Sequence, residues 1–313
     1  MQVWSCQEYN SIEYQAKPWK EAEGRKIMSD FYQVIPAETG HYRITAKDMV
    51  FMDLFVGTGK ALLWDTGYGY GDLAGIVKEL SEGRPLYIVN SHGHLDHACG
   101  NYQFAEDIYI HERDRGLCLE HTGQEMRRGA LKNAEHNFNF MTKETENILP
   151  KTIDRERYIH GGSGSLRSVK EGDVFALGGI TLEVFELPGH TGGSIGLYWK
   201  ERDILFSGDA FNPFVWLFMP EALKLEDYLN TLHKAHGLGF THFYMAHNPG
   251  LTDKKEILTY IRAAEQADFE KGFPFETDLA PGVEARVCAL PGYGPQDFDK
   301  PGFAAVVLSK GHL

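Results

Sequence analysis

The sequence predicts an α/β fold in which helices cover mixed sheets. Three observations predict it. Short apolar runs of strand length alternate with segments of helical spacing along most of the chain. The composition, 42% hydrophobic and 24% charged over 313 residues, is that of a folded chain with a sizeable core. A dense group of histidines and a carboxylate follows directly on one of the apolar runs. The length suits one large domain spanning 1–313, with 1–40 as an N-terminal extension that wraps the body, 112–165 as an insertion and 271–313 as strands packing on it.

Taken in order, residues 1–40 are polar and aromatic with weak periodicity. Met49–Val56 is strand-like, 57–60 (GTGK) turns, and Ala61–Trp64 is a second strand that ends at Asp65-Thr66-Gly67. Leu73, Ile76, Val77 and Leu80 make 71–82 a helix. Leu86–Asn90 is a short buried strand, and Ile108–Ile110 another. Residues 112–165, rich in Glu, Arg, His and Asn, break the rhythm and form the largely helical insertion. Strand patterns resume at Val174–Leu177, Ile180–Leu187, Ser194–Trp199 and Asp203–Ser207. Helices are expected over Glu221–His236 and Asp253–Glu270, with a strand at Phe240–Ala246 between them. Val283–Ala289 and Phe303–Leu308 are the last strand-like runs.

The formal net charge of -13 argues against nucleic acid or an anionic membrane as partner, because phosphate recognition runs on Lys and Arg. A small-molecule substrate is the partner expected. Four scattered cysteines (Cys6, Cys99, Cys118, Cys288) form no C-x-x-C pair and read as free thiols of a reducing compartment. The first twenty residues carry no apolar segment of secretory type, and no run approaches 18 apolar residues. The expected location is the cytoplasm.

The chemistry is concentrated in SHGHLDHACGN, residues 91–101. His92, His94, Asp96 and His97 stand in H-x-H-x-D-H order, and imidazole with carboxylate suits zinc and its neighbours. Side chains at i and i+2 of an extended segment point the same way, so His92 and His94 can grip one ion while the turn after them sends Asp96 and His97 to a second.

H-x-H-x-D-H at the end of a strand resembles the signature of the metallo-β-lactamase superfamily, and the rest of that family's ordered motifs follow. Asp65 lies in WDTG, His190 in LPGHTGGS, Asp209 in FSGDAF and His247 in YMAHNPG. The resemblance covers about 45–250 and implies an αββα four-layer sandwich with the site at one edge of two sheets. It implies that His92, His94 and His190 hold one divalent ion, that Asp96, His97 and His247 hold another, and that Asp209 bridges them. Asp65 would orient a ligand from behind. Zinc is the expected metal, with iron or manganese also accepted by this ligand set.

Two ions sharing a water would lower its pKa towards neutrality, with Asp96 the candidate for proton transfer. The resemblance then implies hydrolysis of an ester, thioester or lactone, as in the glyoxalase II and lactonase branches. A phosphodiesterase acting on a small substrate and a mononuclear-iron oxidoreductase similar to persulfide dioxygenases are the alternatives. Asp209 stands where the true β-lactamases of the family use a Cys, which argues against antibiotic hydrolysis. The apolar stretch 210–220 reads either as a core segment or homodimer contact, or as a pocket wall formed by Phe211, Phe214, Trp216 and Phe218. His111, His121, His136 and His160, in or beside the insertion, read as ordinary polar histidines, with reach of one of them to substrate as the alternative.

Overall fold

The computed structural model describes residues 4–5, 31–139, 144–277, 280, 282–298 and 300–313. Two sheets face each other. The first runs, in spatial order, Ser165–Val169, Asp107–His111, Leu86–Val89, Ala61–Trp64, Met52–Val56, His41–Thr45, Gln33–Glu38. The second runs Val174–Ala176, Thr181–Glu186, Ile195–Trp199, Ile204–Phe206, His242–Tyr244, Thr252–Asp253.

Burial follows the period of each element. Leu182 and Val184 alternate with more exposed neighbours and point between the sheets, where they meet Phe55, Leu62, Trp64 and Val89 of the first sheet and Leu197, Phe206 and Tyr244 of the second. Helix Leu73–Leu80 starts at Asp72, whose side chain accepts from the Gly75 amide at 3.0 Å, and it lays Leu73, Ile76 and Val77 on the outer face of the first sheet. Helix Leu225–Gly237 carries Glu226 and Asp227 in its first turn and Lys234 and His236 in its last, matching the dipole. Its buried face, Tyr228, Thr231, Leu232 and Ala235, packs with Ile257, Tyr260 and Ile261 of helix Glu256–Glu265 outside the second sheet. The layers are therefore helix, sheet, sheet, helix.

Several expectations need correction. The extension expected over 1–40 ends early, because Gln33–Glu38 and His41–Thr45 form a hairpin at the edge of the first sheet. Gln33–Glu38 hides this in the sequence: it is an edge strand, half exposed and bulged at Pro36. Residues 1–3 and 6–30 of the expected extension, and 140–143 of the insertion, lie outside the described residues. Residues 221–224 stay out of the helix expected from Glu221. A third sheet, ordered Trp4–Ser5, Phe273–Glu276, Ala285–Ala289, Ala305–Ser309, Phe214–Leu217, gathers the C-terminal strands with part of the 210–220 stretch. The insertion supplies helices Arg115–His121, Gln124–Glu135 and Arg155–Ile159, whose Ala130, Leu131, Ala134 and Tyr158 pack around Tyr70.

Candidate metal centre

Loops that leave the C-terminal ends of strands converge at one edge of the two sheets. Ala61–Trp64 runs parallel to Leu86–Val89, and Ile204–Phe206 runs parallel to His242–Tyr244. Their ends therefore deliver Asp65 beside the 91–97 loop, and Asp209 beside His247. Backbone bonds join the two sheets at this edge: the Ile195 amide donates to the Ser91 carbonyl at 2.9 Å, and the Phe51 amide to the Ala246 carbonyl at 2.8 Å. Gly208 allows a close approach. Its φ is 55°, and a Cβ there would stand 2.7 Å from the Cβ of Ser91.

The seven ligand candidates fall into two groups, His92, His94 and His190 in one and Asp96, His97, Asp209 and His247 in the other. In each, one ligand atom per residue lies within 4.8 Å of all the others. In the first, His92 Nε2 and His190 Nε2 each lie 3.0 Å from His94 Nδ1. The opposite ring nitrogens are all tied down. His190 Nδ1 donates to the Trp216 carbonyl at 3.0 Å, and His94 Nε2 to Glu221 Oε1 at 2.6 Å. Ser91 Oγ donates to Asp65 Oδ2 at 2.8 Å and so accepts from His92 Nδ1 at 2.9 Å. Each tie selects the nitrogen that faces the group.

In the second group, His97 Nε2 lies 3.4 Å from Asp96 Oδ2 and 3.5 Å from Asp209 Oδ2. His247 Nε2 lies 3.4 Å and 3.2 Å from the same two oxygens. Asp209 Oδ2 also comes within 3.7 Å of His190 Nε2, so this carboxylate stands between the groups. Donors about 2.1 Å from a tetrahedral ion are about 3.4 Å apart, so the spacings suit one. His97 Nε2 and Asp209 Oδ1 are buried and make no hydrogen bond, as expected of atoms meant for a cation.

The electrostatics differ between the groups. Burial alone would raise Asp96 and Asp209, but the adjacent His97 and His247 outweigh it and hold both carboxyls well below their usual range. Burial would lower His247, yet Asp209 and Asp96 push it up to about 10, and His97 is raised in the same way. In the first group, burial followed by the neighbouring imidazoles lowers His92 and His190. His94 is the exception, raised by Glu221 against burial. A cation at either position is compatible with this balance: beside two lowered imidazoles and His94 in one, in place of imidazolium protons in the other.

Asp65 is fully buried at φ 61°, a left-handed conformation that costs an Asp energy. It accepts from the Ser91 amide at 2.7 Å and from His97 Nδ1 at 2.9 Å, which orients His97. Four further residues carried no usable sequence signal. Glu221 sits where a helix was expected. Asp114, inside the insertion, accepts from the Gly93 and Gly193 amides at 2.9 and 2.7 Å and from Thr191 Oγ1 at 2.7 Å, clamping two histidine loops together. A Cβ on Gly193 would meet Asp114 Oδ1 at 2.5 Å. Ser91 fixes His92. His121 stacks on His94 with centroids 5.1 Å apart, and burial lowers it to about 4. The last corrects the reading of His121 as an ordinary polar histidine.

The pocket-wall reading of the aromatic stretch gives way to the core reading for three residues. Phe211 packs on Phe243 within the second sheet's core, and Phe214 and Phe218 pack on Phe275 inside the third sheet. Strand pairing at Phe214–Leu217 dictates this by sending alternate side chains to opposite faces. Trp216 is half-buried against Phe218 and Phe275, and it meets the centre through its backbone carbonyl.

A family model described as the metallo-beta-lactamase superfamily matches residues 48–247, and the chain belongs to that superfamily. Among individual proteins, it is 29% identical over 195 residues to acyl-coenzyme A thioesterase MBLAC2 of Homo sapiens, covering 57% of this chain and 64% of that protein. It is 27% identical over 125 residues to hydroxyacylglutathione hydrolase GloC of Haemophilus influenzae, covering 38% of this chain and 47% of that protein. The chain thus spans less than two thirds of the length of these curated relatives. In fold it is similar to the metallo-beta-lactamase from Pontibacter korlensis, with a TM-score of 0.51 at 15% identity over 75% of this chain and 99% of that one. It is also similar to a sec-alkylsulfatase from Pseudomonas sp., with a TM-score of 0.53 at 14% identity over 75% of this chain and 41% of that one.

Proposed function

We propose that this chain is a dinuclear, zinc-dependent hydrolase that cleaves a small acyl thioester or ester. The observation that carries the two-ion reading is the place of Asp209, whose Oδ2 is 3.7 Å from His190 Nε2 and 3.2 Å from His247 Nε2. His92, His94 and His190 would hold one ion, and Asp96, His97 and His247 the other, with Asp209 between them. Two such ions supply Lewis acidity and lower the pKa of water. The protein's own part is to fix the ligand nitrogens through Glu221, Ser91, the Trp216 carbonyl and Asp65, so that the reacting groups meet in a set geometry. Asp96, with 18% of its side chain exposed, would take the proton from the attacking water.

The names of MBLAC2, an acyl-coenzyme A thioesterase, and GloC, a hydroxyacylglutathione hydrolase, support the acyl-transfer reading. The three described cysteines are free and buried, which supports a reducing, cytoplasmic setting. Among the described residues no helix is long and apolar enough to cross a membrane.

The test is a substrate panel run on zinc-loaded protein: acyl-coenzyme A and acyl-glutathione thioesters, a lactone, and bis-p-nitrophenyl phosphate. Turnover of the thioesters, abolished by chelation and restored by zinc, is expected. Turnover of the phosphodiester alone would overturn the acyl reading.

A further inference from the structure

Arg43 belongs to neither ligand group. It sits in strand His41–Thr45 of the first sheet and is 1% exposed. Its guanidinium lies between the rings of Phe51 and Tyr244, 4.4 Å from each centroid. Nε donates to Asp53 Oδ1 at 3.0 Å, and the same oxygen takes His41 Nε2 at 2.7 Å, so the buried positive charge is balanced from behind.

The other donors go to backbone. Nη2 donates to the Met245 carbonyl at 2.9 Å, and Nη1 to the carbonyls of Asn248 and Pro249 at 2.7 and 3.0 Å. These carbonyls flank His247 on both sides, in a segment that has left strand His242–Tyr244 and has no ladder to accept. Its backbone is also tied by the Phe51 amide, which donates to the Ala246 carbonyl at 2.8 Å, and by the Ala246 amide, which donates to the Gly208 carbonyl at 3.2 Å. A rigid planar fork replaces the missing strand partner. The first group is held by other means: Glu221, Ser91 and the Trp216 carbonyl.

We infer that Arg43 is a positioning residue for His247. It sets where His247 Nε2 stands relative to Asp96 and Asp209, and with that the affinity of the second metal position but not the first. The inference rests on the two-ion reading above. Lysine at 43 keeps the charge beside Asp53 but cannot span three carbonyls, so charge and geometry can be separated.

The experiment titrates metal-free wild type, Arg43→Lys and Arg43→Met with Zn2+ against a chromophoric chelator, and repeats the titration with Co2+ to read the ligand field of each position. Wild type is expected to bind two ions per chain. Both variants are expected to bind the first ion within about threefold of wild type and the second at least about tenfold more weakly, the scale of loss typical of groups that orient a ligand. Unchanged affinity at both positions overturns the inference. So does parallel weakening of both with a lowered melting temperature, which is what a merely structural arginine would give. Wild-type behaviour of Arg43→Lys also overturns it, since charge alone would then suffice. If Arg43→Met does not fold, Arg43→Lys decides. A wild type that binds a single ion overturns the two-ion reading itself, and the inference with it.

Discussion

The two ligand groups lie side by side, yet they are built differently. The first is all imidazole. His92 Nε2 and His190 Nε2 each face His94 Nδ1 at 3.0 Å, and each opposite nitrogen has its own anchor. The second alternates carboxylate and imidazole, and it is already neutralised by its own ion pairs. An ion entering the first would meet only one imidazole whose proton is held, His94 beside Glu221, because burial and the neighbouring imidazoles lower His92 and His190. An ion entering the second would have to expel protons from His97 and His247, both raised by Asp96 and Asp209. Neighbouring ligand groups of one candidate centre can thus differ in readiness: in one a single imidazole holds its proton against a cation, in the other two do.

The largest effect is expected from removing the carboxylate that stands between the groups. Asp209→Asn is expected to lower kcat/KM by about three orders of magnitude, several kcal/mol of lost charge stabilisation, measured in steady state on the best thioester. A drop below about tenfold would show that Asp209 does not couple the groups.

A second prediction concerns pH. Since Asp209 and Asp96 push His247 up to about 10, the second position should lose metal affinity by at least about tenfold for each pH unit between 8 and 6. The first should change much less. Calorimetric zinc titrations at pH 6, 7 and 8 read both, and equal slopes would erase the distinction.

Glu221→Gln sharpens it from the other side. Loss of the carboxylate at His94 Nε2 should weaken the first position by about 10- to 100-fold and leave the second within about threefold, read by competition with a chelator. Equal losses at both positions would count against separate anchoring.

The smallest effect is expected at His121. Its folded value, about 4, lies below the 6.5 of an unperturbed histidine. Between these values the unfolded chain binds a proton that the folded chain does not, so this group makes stability rise with pH across that window and adds nothing further above it. In His121→Leu the rise in stability from pH 4 to 6.5 should be flatter by up to about 2 kcal/mol, as urea denaturation would show. An unchanged slope would mean that His121 titrates normally.

Much of the fold was legible. Ala61–Trp64 lies where periodicity placed it, and Leu86–Val89 and Leu73–Leu80 fall inside their expected ranges, because strong apolar patterning and an Asp72 cap act locally. Gln33–Glu38 was not legible, because an edge strand needs only one partner and carries half-exposed side chains. The third sheet was not legible either: Phe214–Leu217 pairs with Ala305–Ser309 from far along the chain, and nothing in either segment names the other.

The candidate centre divides in the same way. H-x-H-x-D-H and the four motifs around it were written in the sequence, because ligand chemistry restricts residue type and strand ends restrict spacing. That determined the ligand candidates and the likeness to the superfamily. Only the tertiary structure decided what stands behind the ligands. Glu221, Asp114, His121 and Arg43 come from a loop, an insertion, a helix end and an edge-side strand, and each is an unremarkable residue until folding brings it there. The physical reason is that a ligand must be a particular kind of atom, whereas the groups that orient it need only a donor or acceptor at the right point in space, and many sequences can put one there.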